Sequence, residues 1–224
     1  MNLIEYADRD MMMLDLADVL ASELTSMLDH EERASLAVPG GTTPGPVFDA
    51  LSAVDLDWAR VDVLLTDERW VPESSPRSNT ALLRSRLLVG HAAKANLVPL
   101  YADNPRPEDA LPALSQAIEA ITPISVVLLG MGEDMHTASL FPGADHLDEA
   151  LSRHAPPLLP MRAPGADEPR VTLTAPILNG AMSKHLLILG AAKRDALNKA
   201  MAEKHARLAP VKAVMSDMTV HWAE

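Results

Sequence analysis

The sequence predicts an α/β fold built on a mostly parallel sheet, and three observations predict it. Strand-like runs alternate with helical stretches along the chain. Two of those runs, SVVLL (125 to 129) and LLIL (186 to 189), are continuously apolar, as strands covered by helices on both faces are. At 224 residues, 48% of them hydrophobic and 22% charged, the chain is apolar enough to bury roughly 70% of its unfolded surface, so one domain over 1 to 224 is expected.

The elements follow in order. Apolar positions 12, 16, 20, 24 and 27 form a helical stripe from about Asp8 to Asp29. SLAV (35 to 38) is a short strand, PGGTTPGP a loop, and VFDALSAV a second helix. Strand VDVLLT (61 to 66) leads into a polar loop, DERWVPESSPRSN, and then into helix NTALLRSRLL, with Ser78 as its expected cap. A helix near 108 to 121 precedes strand ISVVLLG (124 to 130) and the loop GMGEDMHTASLFPG. Residues 155 to 169 hold five of the 18 prolines and are expected to be a loop, either over a site or as plain connection. Strands RVTL (170 to 173) and KHLLILG (184 to 190) bracket a short helix, and a last helix starts near Ala191. In open α/β sheets ligands bind beyond the carboxyl ends of the strands, so four loops, PGGTTP, DERWVPESSPRSN, GMGEDMHTASLFPG and LGAAK, are expected to line one crevice.

Charge and composition exclude several functions. With 19 Lys+Arg against 31 Asp+Glu the net charge is −12, which opposes binding to phosphate backbones, so no nucleic-acid partner is expected. No cysteine is present, which removes disulfides, thiol catalysis and cysteine-held metals. Acidic Glu5, Asp8 and Asp10 stand where a secretory signal would be basic and then apolar, and no run approaches a membrane span; a soluble cytoplasmic protein without membrane contact is expected. An anionic small ligand fits only if cations and backbone amides gather in one cleft.

The loops contain the means to do so. Gly40 and Gly41 let backbone amides turn toward a ligand, Thr42 and Thr43 add hydroxyls, and Pro44 suits the first turn of the following helix. That is an anion cradle at a helix start, or equally a tight strand-to-helix turn with a threonine cap. It is no Walker loop, since the Gly-Lys-Ser/Thr ending is missing. Gly130 and Gly132 do not make a dinucleotide fingerprint, because Met135 occupies the third glycine position. In the same loop His136 lies two residues from Asp134 and three from Ser139, with no Gly-x-Ser-x-Gly elbow and no second histidine for a metal. It is an acid or base without metal or nucleophile, or a hydrogen-bonded structural histidine. Arg69 and Arg77 flank one polar loop, with Asn79 at its end, and Lys193 sits at a helix start where a cation could meet a bound anion; solvated surface charge is the alternative. Asp67 and Glu68 either orient a cation or water or cap the loop.

Taken together, VPGGTTP (38 to 44), LLTDERWVPESSPRSN (64 to 79), LLGMGEDMHTASLFPG (128 to 143), RVTLTAPILNGA (170 to 181), LILGAAKRDAL (187 to 197) and the tail MTVHWAE resemble the 6-phosphogluconolactonase family over most of the chain. DERWV and HTASLFPG are the specific blocks; GGTTP alone is not. The resemblance implies a Rossmann-like domain shared with glucosamine-6-phosphate deaminases, with helices on both faces of the sheet. It implies a cytosolic hydrolase, independent of metals and cofactors, that opens 6-phospho-D-glucono-1,5-lactone to 6-phosphogluconate in the pentose phosphate pathway, as a monomer or small homo-oligomer. His136 resembles the general base, with Asp67 and Arg69 beside it. Gly40, Gly41, Thr42 and Thr43 resemble the phosphate cradle, and Arg77, Asn79, Arg170 and Lys193 are the further substrate-binding candidates. The family reads Gly-Glu-Asp-Gly-His where this chain has Met135 before His136. A left-handed backbone there would cost about 1 kcal/mol or more, and the side chain is expected to crowd the water beside His136. A deaminase-like isomerase and a non-catalytic phosphosugar sensor are the alternatives.

Overall fold

Asp8 opens the first long helix, its carboxylate accepting a hydrogen bond from the Met11 amide at 2.7 Å, and the apolar stripe that follows turns Met12, Leu16, Leu20 and Leu24 fully inward. The structure is a computed structural model that describes residues 1–224. Its strands are β1 (Asn2–Glu5), β2 (Ala34–Val38), β3 (Val61–Leu65), β4 (Asp67–Arg69), β5 (Asn96–Leu97), β6 (Val126–Gly130), β7 (Leu158–Met161), β8 (Arg170–Leu173), β9 (Ser183–Leu189) and β10 (Thr219–Ala223). Its α-helices are α1 (Arg9–Leu28), α2 (Gly45–Ser52), α3 (Asn79–Arg86), α4 (Leu111–Glu119), α5 (Leu147–Ala150), α6 (Ala175–Asn179) and α7 (Gly190–Ala202).

Seven strands form one sheet in the order β1-β10-β9-β6-β2-β3-β5, and every pairing in it is parallel. All residues of β2 and β3 are buried, so both faces of the sheet centre are covered, and 59 buried apolar residues make one contiguous cluster around it. From β2 the chain winds through α2 to β3 and β5 on one side, then returns to β6, β9 and β10 on the other. The reversal falls between β2 and β6, and a crevice opens beyond the carboxyl ends of strands at such a point.

Two stretches expected to be loops contain strands. The chain leaves β3 through Thr66, whose amide donates to Val38 O at 2.9 Å, and Asp67 to Arg69 then pair antiparallel with β8. β7 pairs with the other edge of β8, which makes a second sheet in the order β4-β8-β7. RVTL is thus a strand as expected, but of this small antiparallel sheet. Pro160 is tolerated in β7 because that strand is an edge, where one row of amides needs no partner. β1, β5 and β10 were also not anticipated: β1 and β5 are short edge strands, and β10 interrupts its apolar residues with His221. No helix is long and apolar enough to cross a membrane.

Candidate active site

A cavity of about 370 Å³ opens at the reversal point. The loop after β2 supplies Pro39, Gly40, Gly41, Thr43 and Pro44; β4 supplies Asp67 and Arg69; α3 supplies Asn79. The end of β6 and its loop supply Gly130, Gly132, His136 and Ala138, β8 supplies Arg170, and the turn from β9 into α7 supplies Leu189 and Lys193. Each of the four loops singled out in the sequence therefore reaches the cavity, joined by Arg170 from the small sheet. Among the charged side chains on its wall are Arg69, Arg170 and Lys193 against the single carboxylate of Asp67, so a chain of net charge −12 is locally cationic here.

His136 is fixed by its neighbour. Its Nδ1 lies 2.5 Å from Asp134 Oδ1, and that carboxylate also accepts the His136 amide at 3.3 Å. Burial alone would raise the Asp134 carboxyl, but the hydrogen bonds and charge of His136 outweigh it and hold the group below its ordinary range. An ionised Asp134 holds a proton on Nδ1, so in the neutral ring Nε2 is the acceptor; it has no protein partner, on a ring that lines the cavity. Gly132 makes the arrangement possible: a Cβ there would overlap His136 Nδ1 and Asp134 Oδ1.

A second carboxylate is set on the same wall. Asp67 is 6% exposed, accepts the Ser139 hydroxyl at 2.5 Å on Oδ2, and faces Arg170 Nη1 at 3.8 Å. Arg170 is itself sunk in the site; burial lowers its basicity, with Asp67 acting in the opposite direction. Its Nε and that of Arg69 are buried without a hydrogen-bond acceptor, the kind of donor that a bound anion satisfies.

Three helices begin at this cavity, and they differ in how their first amides are satisfied. For α3 the answer is internal. Glu68, wholly buried, accepts the amides of Arg69, Asn79 and Thr80 and the hydroxyls of Ser78 and Thr80, while Ser78 Oγ caps Ala81. The amino ends of α2 and α7 have no side-chain cap and no acidic residue in the first turn. In α2, Pro44 and Pro46 carry no amide and the Gly45 amide donates to Thr42 O at 3.1 Å, so that helix offers its positive dipole end, whereas α7 presents an uncapped first turn as well.

Of the sequence candidates, Gly40, Gly41, Thr43, Asp67, Arg69, Asn79, His136, Arg170 and Lys193 meet at the cavity. Thr42 is exposed and lies off its wall, and the alternative threonine cap is also absent. Arg77 points away: its Nε and Nη2 both donate to Glu168 Oε1, at 3.0 and 2.8 Å. Asn79 is braced rather than free, donating to Asp67 O at 3.0 Å and packing where a Cβ on Gly40 would go. Met135 does have the left-handed backbone, φ 65°, but its side chain packs against the core and does not line the cavity beside His136. Sequence reading missed Ser139 as the partner of Asp67. Only its place three residues after His136 hinted at the site.

Fold and cavity define a Rossmann-like α/β protein with a cationic crevice at the switch point of a parallel sheet. The chain belongs to the family of glucosamine-6-phosphate isomerases/6-phosphogluconolactonase, whose profile matches residues 7–222. The 6-phosphogluconolactonase of Pseudomonas aeruginosa is 41% identical over 210 residues, covering 92% of this chain and 88% of the relative. That of Mesorhizobium japonicum is 42% identical over 224 residues, covering 97% and 93%. The crystal structure of a 6-phosphogluconolactonase from Shewanella baltica superposes with a TM-score of 0.92 at 29% identity, covering 100% of this chain and 97% of that one.

Proposed function

We propose that this chain is a 6-phosphogluconolactonase, one lactonase domain over 1–224 that hydrolyses 6-phospho-D-glucono-1,5-lactone to 6-phosphogluconate in the pentose phosphate pathway. It acts in the cytoplasm, as a monomer or small homo-oligomer, with the phosphorylated sugar lactone and no nucleic acid as its partner. The observation that carries this reading is His136: Nδ1 tied to Asp134 at 2.5 Å, and Nε2 unpartnered on the wall of a cationic cavity.

The chemistry suits a lactone, which is an activated ester. Nε2 takes a proton from a water as its oxygen attacks C1, and the carbonyl becomes a tetrahedral oxyanion. The imidazolium then returns the proton to the ring oxygen as the C1–O bond breaks, and 6-phosphogluconate leaves with no covalent enzyme intermediate. Asp134 steadies the imidazolium while it exists. Lys193, Arg69, the Gly40–Gly41 turn and the uncapped start of α7 hold the phosphate, and that distant grip orients C1 for attack. No group of three His, Asp or Glu side chains stands in position to hold a metal, and the steps above need none.

The test is turnover of 6-phosphogluconolactone by purified protein in the presence of a chelator, against the spontaneous rate. Acceleration supports the reading. Loss of turnover in chelator, restored by a divalent ion, would overturn the metal-free mechanism. Binding of 6-phosphogluconate without turnover would mark a sensor, and ammonia release from glucosamine 6-phosphate would mark a deaminase.

A further inference from the structure

The chain has only two phenylalanines, and they are used differently. Phe48 is 1% exposed and belongs to the core. Phe141 is half-buried and is not part of the core cluster or of the apolar side chains packed on it, nor does it line the cavity. Its ring is stacked on the His136 imidazole, centroids 4.1 Å apart with the planes 29° from parallel. The Arg170 guanidinium carbon lies over the same ring, 5.1 Å from its centroid. A large apolar side chain that the core does not use, with a histidine stacked on its ring and an arginine over the same ring, is placed for them and not for hydrophobic burial.

We propose that Phe141 is a positioning residue for the reaction: it fixes the plane of the His136 ring, and so the direction in which Nε2 meets the proton it takes. This rests on His136 being the base. One hydrogen bond to Asp134 is a hinge about which a ring can still rotate, whereas a bond together with a stacked face leaves one orientation. The turn that carries Phe141 is itself fixed, since its carbonyl accepts the Ala144 amide at 3.1 Å and its amide donates to Ser139 O at 3.2 Å. Ser139 in turn holds Asp67, so one short segment sets the base, the carboxylate and the ring stacked on the base. The ring face favours a cation beside it, and both its neighbours are cationic once His136 is protonated.

The test compares wild type with Phe141→Leu and Phe141→Tyr. Turnover is measured on the lactone, and the protonation of the two His136 ring nitrogens is read by nitrogen-15 NMR at pH 8 without substrate. The expected result for Phe141→Leu is a fall in kcat of about tenfold or more, KM within about twofold, and a shift from the Nδ1–H tautomer toward a mixture. Phe141→Tyr keeps the face and is expected to retain both kcat and tautomer. Since Phe141 lies outside the core, both variants should fold; should the leucine variant fail to do so, Phe141→Met carries the same comparison. Wild-type kcat and tautomer in the leucine or methionine variant overturn the proposal, as does a loss of kcat with an unaltered tautomer. A wild type without turnover would refute the lactonase reading instead, and the tautomer comparison would still decide whether Phe141 sets the ring.

Discussion

Asp134 and His136, two residues apart in one loop, form a 2.5 Å contact that assigns the imidazole its tautomer. His136→Ala should lower kcat by about 10² to 10⁴ with folding intact, the usual range for a positioned general base. Asp134→Asn is the sharper test, because it keeps the shape but removes the charge that holds the proton on Nδ1. It should lower kcat by at least about tenfold and leave 6-phosphogluconate affinity nearly unchanged. Near wild-type turnover in both variants would show that the base lies elsewhere.

The cations divide by what they already hold. Lys193 stands on the wall of the cavity at the uncapped start of α7, whereas Arg77 is turned to Glu168 outside it. Lys193→Ala should weaken 6-phosphogluconate binding by roughly 1.5 to 3 kcal/mol, the range for charge-assisted hydrogen bonds, and affect unphosphorylated gluconolactone much less. Arg77→Ala should change the affinity less than about twofold. Isothermal titration of both variants decides it: equal losses would mean that the loop from 70 to 78 moves Arg77 into the site on binding.

The parallel sheet and four of its site loops were legible because their signals are local: apolar runs, glycines, a helical stripe. The small sheet was not, since β4 reads Asp-Glu-Arg and β7 contains Pro160, and each is a strand only because β8 lies beside it. Glu68 illustrates the same limit. As a residue type it belongs on the surface, yet it is wholly buried, and the five donors that justify its burial come together only in three dimensions. His136 was singled out from its loop, but its pairing with Phe141 and the Ser139 bond to Asp67 depend on how that loop turns.

A chain of polar groups away from the cavity links the residue after β1, strands β10 and β9, and helix α1. Tyr6 Oη is 2.9 Å from His221 Nδ1, His221 Nε2 is 3.0 Å from His185 Nδ1, and His185 Nε2 is 2.9 Å from Glu23 Oε2, which Ser183 also supports through Oε1 at 2.6 Å. With Glu23 ionised, the chain of hydrogen bonds can run toward the carboxylate from Tyr6 through His221 and His185. Burial pushes His221 down to about 4, helped by His185 and opposed by Glu23. The unfolded chain, with an ordinary histidine near 6.5, therefore binds the proton first as pH falls, so stability is full above about 6.5 and is lost toward 4. From pH 7 to 5 the loss should be about 2 kcal/mol, and His221→Leu should flatten that slope whatever it does to stability at pH 7. Urea titrations at the two pH values measure it; equal slopes in the variant and wild type would place the titrating group elsewhere.

Met135 tests how the loop before His136 bears a residue with φ 65°. Its amide donates to Gly132 O at 3.0 Å and its carbonyl accepts the Val211 amide at 3.1 Å, so the left-handed turn is tied at both ends, while the side chain packs on the core and away from the cavity. Strain and packing then oppose each other in stability, and the side chain stays off the cavity wall. Met135→Gly removes the left-handed penalty together with the side chain; Met135→Ala removes the side chain and keeps the penalty. Glycine should accordingly be the more stable of the two by about 1 kcal/mol. Both should retain kcat/KM within about twofold, because the backbone bonds that carry His136 survive in each. A several-fold rise in kcat/KM for Met135→Gly alone would mean that the side chain reaches the site during turnover, and the strain would then belong to the catalytic loop and not only to its anchor.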